Sequence, residues 1–532
     1  MADRILKRLS AVLVGLAVLL GSVGVHADQV LPNPRLDNNG VLNFRGGINI
    51  GTPSGGFFYP ALPAGFAGPT RASLAALKYP ASVNTIITSG FTSAGDRGAG
   101  CVYVRGASTG PNAIRDGLGA WWNHPYGAPV RPECFGAVID GTTDDSGPMQ
   151  AAVNAATAFG PGAAVILPNG MSRFCNINIG SNVTISGQGR NASLVKASTA
   201  TCTPFVANFG STLATGGGNV LIEKVGFYGA GSTAQTSGAF VYFSNCTSCR
   251  VTEFEMSGAY IGVQVTGANT INVSVDHGRS NGASLFHFYV AGGADTFFSQ
   301  LVTQAGGNGV QATCGLAIAQ TGGVWISDVD ITASGNGTCL QPGDGQSVKW
   351  IFASNSVLGD SGTGSGLLVA PSGSGLVQGV SITNSWTASN NGAGVSAVCN
   401  VIGGNTGSID GLRIAMHRSL DNGADGFSFA CGRNIRLVQP TAQSNSNPAH
   451  GGTAGVYSGV SFAAGVSNFS VLDGDFTQMA GESVLQKYGV LVGGNPSNNF
   501  TIRGNDGSGG TTSGVTVQNN SGNGPQTVQG NF

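Results

Sequence analysis

Asp328 and Asp330 stand two residues apart, and so do Glu253 and Glu255, in a chain where only 9% of residues are charged. On a β-strand, residues i and i+2 point the same way, with Cα atoms roughly 6.5 Å apart. That spacing suits glycoside hydrolysis, in which two carboxyls about 5–9.5 Å apart divide the acid and base work. It suits a calcium site of oxygen ligands equally well, and solvated acids would look the same. Asp328 and Asp330 are the leading acid and base candidates, with Glu255 behind them. Asp276-His277 is the single adjacent acid–histidine pair, with Arg279 close behind. Strand neighbours point to opposite faces, so these two form a dyad only where a turn intervenes. His417-Arg418 is a second basic candidate for proton transfer. For each of these pairs a structural or solvated role is the simpler reading.

A further row comes from counting four residues past the second apolar position of recurrent strands. It gives Glu255 after Val251, Asp330 after Ile326, Trp386 after Ile382, Arg418 after Ile414 and Asp475 after Val471. Acid, aromatic and arginine on one solvent-facing stripe is what a sugar-binding groove needs. Aromatics stack on sugar faces, arginine clamps carboxylates, and acids move protons. Trp386, Arg418 and Asp475 are the substrate-binding candidates. A long solvent-facing ladder also carries charge by chance.

The elements that must hold these residues repeat. Asn-Gly turns recur at Asn281-Gly282, Asn308-Gly309, Asn336-Gly337, Asn391-Gly392 and Asn422-Gly423, at intervals of 27, 28, 55 and 31, the 55 being two periods. Asn-Gly suits left-handed backbone. Hairpins use it too, but they do not predict a steady period near 28. Apolar alternation recurs at Val220-Ile222, Val324-Ile326, Val380-Ile382, Leu412-Ile414, Phe469-Val471 and Phe500-Ile502. Stacked in parallel, such strands make a solenoid with a continuous apolar interior. Leucine-rich repeats need regular leucine spacing and propellers a longer blade, and neither fits. Cys314 and Cys339 follow successive turns, as do Cys399 and Cys431. Coils about 4.8 Å apart bring each pair within disulfide range, although stacked thiols would leave the same spacing.

One stretch is more specific. Phe135-Gly136-Ala137-Val138-Ile139 reads as a short apolar strand, Asp140-Gly141-Thr142-Thr143 as a turn, and Asp144-Asp145-Ser146-Gly147-Pro148 as a helix start. Met149, Ala152, Val153 and Ala156 then form one apolar helical face. This string resembles the opening motif of the pectate-lyase-like family, secreted right-handed parallel β-helices with rhamnogalacturonase- and epimerase-like members. The resemblance implies a helix that caps the N-terminal end of the β-helix, and polysaccharide as substrate. Residues 28–134, with the Gly-rich turn Ser93–Gly100 feeding Cys101-Val102-Tyr103-Val104, are similar to the leader of phage tailspike-like proteins. That likeness implies a homotrimer as one arrangement for an elongated rod. The chain departs from polygalacturonase-type hydrolases, since no Asn-Thr-Asp, paired Asp-Asp and Gly-His-Gly set follows residue 160. Asp144-Asp145 belongs to the capping motif.

Arg4, Lys7 and Arg8 before the apolar Leu9–Leu20, with Val25-His26-Ala27 as a cleavage site, read as a signal peptide over 1–27. That run is short for a membrane span, and no later segment reads as one. Ten cysteines in the remainder suit an exported, disulfide-bearing protein. Cys246-x-x-Cys249 has no second ligand pair nearby, so a local disulfide or buried thiols is the better reading than zinc. A net charge of −1 excludes the basic field that nucleic-acid binding requires.

The expectation is therefore an all-β chain, a right-handed parallel β-helix (solenoid) over 135–532 with a short N-terminal capping α-helix. Residues 1–27 form a signal peptide and 28–134 a leader. The chain would be secreted, periplasmic or at the cell surface, and would act on polysaccharide as a glycoside hydrolase or lyase. The sequence establishes no cofactor, and calcium is a candidate if the chain is a lyase. The rival expectation is a non-catalytic glycan-binding or structural β-helix.

Overall fold

The computed structural model describes residues 35–36, 42–43 and 68–532, apart from 111, 211–216, 231–234, 307–310, 482, 484, 494–497 and 518–524. Two compact units divide the chain, 1–60 and 61–532. In the first, Arg35–Leu36 pairs antiparallel with Leu42–Asn43. The signal peptide expected over 1–27 lies outside the described residues. Among the described residues, no helix is long and apolar enough to cross a membrane.

The second unit is all-β and forms a parallel β-helix. One sheet holds 13 strands running from Ile177–Asn178 to Ser513–Val517, and a second holds 23. The strand pairs between successive coils are parallel, as the 28-residue period requires. Alternation explains the stacking. Val324, Ile351, Val380, Leu412, Ile435, Phe469 and Phe500 share one register row, and each is buried in a single continuous core.

Six successive coils of the second sheet contribute β1 (Ile271–Asn281), β2 (Ala294–Gln304), β3 (Val324–Thr332), β4 (Ser347–Ser354), β5 (Leu376–Thr383) and β6 (Ser408–Ala415). Their coils bend at a shared position where the backbone turns left-handed. Glu253 (φ 51°), His277 (51°), Gln300 (52°), Asp328 (54°), Asn355 (51°), Asn384 (45°) and Met416 (51°) occupy it on successive coils. A left-handed non-glycine residue costs roughly 1–2 kcal/mol, and stacking on the coils above and below holds it there. This residue interrupts the alternation. It faces outward like the residue before it, the next residue faces the core, and the one after that faces solvent. His417 sits in the inward position after Met416 and is fully buried against Phe427. It is therefore a core residue, the structural alternative to the proton-transfer candidacy that the sequence raised.

At Asn281-Gly282 the glycine is left-handed (φ 59°), as Asn-Gly suits, but later turns differ. Ser389, Asp421 and Ser444 carry the left-handed backbone, and Asn390, Asn422 and Asn445 turn inward. Asn390 Nδ2 donates to Asn422 Oδ1 at 3.0 Å, and Asn422 Nδ2 to Asn445 Oδ1 at 2.9 Å. Side-chain amides thus run from coil to coil in the buried interior.

Helix α1 (Ser146–Phe159) buries Met149, Ala152, Val153 and Ala156 as its periodicity predicts, together with Ala155 and Phe159. It packs against Ala163–Ile166, Gly170–Phe174 and Ile177–Asn178, the first three strands beyond it. Ala137-Val138-Ile139 is not a strand. Asp145 turns back from the helix start to accept from the Val138 and Ile139 amides at 2.7 and 3.2 Å, and the strand runs Asp140–Asp144 instead.

Upstream, an antiparallel four-stranded sheet spans residues 85–123 around Leu74, Ile86, Tyr103 and Trp122. The Cys101–Cys134 disulfide ties it to the segment that leads into the β-helix. Cys314–Cys339 and Cys399–Cys431 bridge coils with Cα separations of 6.1 and 6.0 Å. Cys246–Cys249 forms the local link and Cys175–Cys202 a fifth bridge.

Candidate functional site

Register puts Glu255, Arg279, Val302, Asp330, Val357, Trp386, Arg418, Thr441 and Asp475 in one row, each paired with the next. The residues picked out by counting therefore share one stripe, immediately past the left-handed corner. The stripe is long, and one part of it borders a cleft. An open cleft of about 510 Å³ is lined by Arg190, His277, Arg279, Gln300, Asp328 and Asp330, with Gly278, Leu301 and Val302 as its floor.

Three coils build this cleft. β1 supplies His277 and Arg279, β2 supplies Gln300, and β3 supplies Asp328 and Asp330. His277, Gln300 and Asp328 occupy the same corner position on consecutive coils, so His277 and Asp328 have Cα atoms about 10 Å apart across two coil spacings. The corner points all three outward, and Arg279 and Asp330 follow two residues later.

Asp276 stands behind His277 and does not line the cleft. Its carboxylate is buried and saturated with donors. Arg250 grips it in a fork, Nε at 2.8 Å and a terminal nitrogen at 2.9 Å, and Thr252 Oγ1 donates at 2.6 Å. His277 Nδ1 lies 2.7 Å from Oδ1. Burial pushes the Asp276 carboxyl up, but the hydrogen bonds from Arg250, Thr252 and His277 outweigh it and hold the group below its usual value. An ionised carboxylate only accepts, so Nδ1 donates to it and Nε2 is the ring nitrogen that takes no part in the contact. The turn that a dyad required is the left-handed backbone of His277 itself.

Asp330 is half-buried. Burial, and secondarily the charge of Asp360 on the next coil, raise its carboxyl above the ordinary range. Asp328 is exposed at the cleft mouth. Two carboxylates in one cleft, one of them biased toward its protonated form, is an arrangement that supports acid–base chemistry.

The remaining candidates lie outside the cleft. Glu255 accepts from Asn281 Nδ2 at 2.8 Å, one coil before Arg279. Trp386 is exposed two coils beyond Asp330, with Arg418 on the coil after it. Asp475 lies five steps along the row and is engaged locally, accepting from the Thr477 amide and hydroxyl and from Gln443. Among the described residues, no group of three or more His, Cys, Asp or Glu assembles at metal-binding distances.

Counting along the sequence missed a second feature. Phe297, Trp325 and Phe352 face outward three residues before each corner and stack ring on ring, with centroids 4.9 and 5.6 Å apart. Their intervals of 28 and 27 residues match the coil period. Outward-facing aromatics recurring at that period were the available signal.

No protein-family model matches the chain, and no curated protein matches it. Solved structures do. The A-module of the mannuronan C-5 epimerase AlgE4 of Azotobacter vinelandii is 15% identical, with a TM-score of 0.51 over 75% of this chain and 99% of that one. The AlgE6 A-module of the same organism is 17% identical, with a TM-score of 0.50 over 76% and 98%. A tailspike protein mutant of E. coli bacteriophage HK620 is 13% identical, with a TM-score of 0.49 over 73% and 78%. Likeness at these identities concerns architecture, and what the chain shares with the two epimerase modules is the parallel β-helix fold.

Proposed function

We propose that the chain is an exported polysaccharide lyase acting on a uronate-containing polymer in the cleft between β1 and β3. The observation that carries this reading is the Asp276–His277 contact, which leaves a basic Nε2 beside two arginines in one cleft. His277 takes the proton from C5 of the uronate ring. Arg279, with Arg190 on the cleft wall, neutralises the adjacent carboxylate, which makes that proton removable. The C4–O bond breaks as a C4–C5 double bond forms, and the departing oxygen takes its proton from Asp330, which burial keeps receptive to one. Asp276 positions His277 and stabilises the imidazolium. The epimerase modules that share the fold are named for mannuronan, a polymer with the same ring position at issue. Five disulfides support export.

A second reading, hydrolysis with Asp330 as acid and Asp328 as base, is favoured by the two carboxyls lining one cleft. One screen separates the two. The exported protein is incubated with alginate, polygalacturonate and neutral glucans, and reducing ends and unsaturated-uronate absorbance are followed separately. Both signals, lost in His277→Ala, are the expected result. Reducing ends alone, lost in Asp328→Asn, would replace elimination with hydrolysis. Silence on every polymer would leave neither enzyme reading standing.

A further inference from the structure

The outer face of β4 carries an aromatic pair that the cleft does not use. Trp350 is 53% exposed and Phe352 40%. Trp350 has φ 59°, a left-handed conformation that is a true outlier for a bulky side chain. Other coils place Asn at this corner: Asn219, Asn272, Asn434, Asn468 and Asn499, all left-handed. Next to Trp350 the pattern changes to glycine. Register sets Gly323 on the preceding coil and Gly379 and Gly411 on the two that follow. A Cβ at Gly379 would lie 2.9 Å from the Trp350 ring, so the indole lies down over bare backbone and its outer face stays open. Two residues on, the Phe297–Trp325–Phe352 stack ends, because Ser381 follows Phe352 in register. The last ring therefore has no aromatic partner on its far side.

Beyond Ser381 the same row continues as Arg413 and Arg436. Both are exposed, and among the described residues neither forms an ion pair; the nearby Asp410 is taken by Arg433 at 2.9 Å. Flat aromatic rings set among Ser327, Ser354, Ser381 and Gln378, with unpaired guanidiniums beside them, match a sugar chain that carries acid groups. An interface with a second copy would call for a broad apolar patch instead.

We propose that this platform binds an anionic polysaccharide, with a pyranose ring on Trp350 and acid groups at Arg413 and Arg436. The platform starts on β4, the coil after the one that carries Asp328 and Asp330, and runs away from the cleft through β6 to Arg436. The proposal extends the polysaccharide reading of the cleft, but binding here does not depend on the reaction there.

The test is electrophoresis of the exported protein through gels containing alginate, polygalacturonate or a neutral glucan. Trp350→Asn is the informative variant, because Asn is the residue that other coils use at this corner and it should fold at least as well as the parent. Retardation by an anionic polymer is expected to weaken about tenfold in Trp350→Asn and in Arg413→Ser, and to persist in His277→Ala. A parent unretarded by either anionic polymer, or a Trp350→Asn variant retarded like the parent, overturns the proposal. Equal retardation by the neutral glucan overturns its anionic specificity. Intact retardation in the parent without turnover would count against the lyase reading alone. Normal turnover with parent-like retardation in Trp350→Asn would count against the platform alone.

Discussion

Asp276 and His277 are neighbours in the chain, yet their side chains meet, His277 Nδ1 lying 2.7 Å from Asp276 Oδ1. On a regular strand they would point to opposite faces of the sheet. The left-handed backbone at His277 turns its side chain to the face that Asp276 already occupies. Removing the base, His277→Ala, should lower turnover by about 10²–10⁴-fold. In the proposed mechanism Asp276 acts only through His277, so Asp276→Asn should lower kcat about 10²-fold and leave KM unchanged. Steady-state kinetics on the responsive polymer checks both, and a rise in KM at constant kcat in Asp276→Asn would contradict a positioning role.

Asp330 and Asp360 sit on adjacent coils, and the negative charge of Asp360 adds to burial in raising the Asp330 carboxyl. A general acid works only while protonated, so the raised value sets the alkaline side of the rate profile. Replacing Asp360 with Asn removes the second cause and should shift that limb to lower pH. An unmoved limb would mean that Asp330 is not the proton donor.

The interior histidines make stability depend on pH. Burial lowers both His287 and His417 to about 3, whereas an imidazole in the unfolded chain titrates near about 6.5. Below about 6.5 the unfolded chain binds two protons that the folded state refuses, so stability falls as pH drops, by about 1.4 kcal/mol per unit for each ring. Asp425 opposes this. Burial raises it to about 6, so from there down to its ordinary value the folded state holds a proton that the unfolded chain has released. Together these three groups contribute a loss of about 1.4 kcal/mol per unit between pH 6 and pH 4. Urea unfolding at several pH values measures it, and a flat profile would contradict the buried, neutral histidines.

Asn422 is the middle rung of the interior amide ladder. Its Oδ1 accepts from the Asn390 amide and side chain, and its Nδ2 donates to Asn445 and Ser419. Asn422→Ala strands polar groups on both flanking coils and should cost about 3 kcal/mol. Chemical denaturation reads the change, and a cost under about 1 kcal/mol would show that the neighbouring coils relax to satisfy themselves.

Much of this architecture was readable in the chain because a solenoid repeats its local rules. The period near 28, the alternation at Val324-Ile326 and Val380-Ile382, and the coil-spaced cysteines each depend only on short-range geometry that recurs. Counting from the apolar positions put Glu255, Asp330, Trp386, Arg418 and Asp475 on one row for the same reason. Helix α1 followed from its own 3.6-residue pattern. What the sequence left open depended on how coils bend and stack. Alternation cannot anticipate a left-handed corner, so it does not decide between a core and a surface place for His417, which lies in the core, and Asp276 and His277 read as divergent when they meet. Nor does a row reveal where it becomes concave. Only the packed coils close His277, Arg279, Asp328 and Asp330 around one cleft and leave Asp475 tied to Thr477. Strand geometry is local and therefore written in the sequence, whereas enclosure depends on neighbours that are distant in sequence and adjacent only once the coils are stacked.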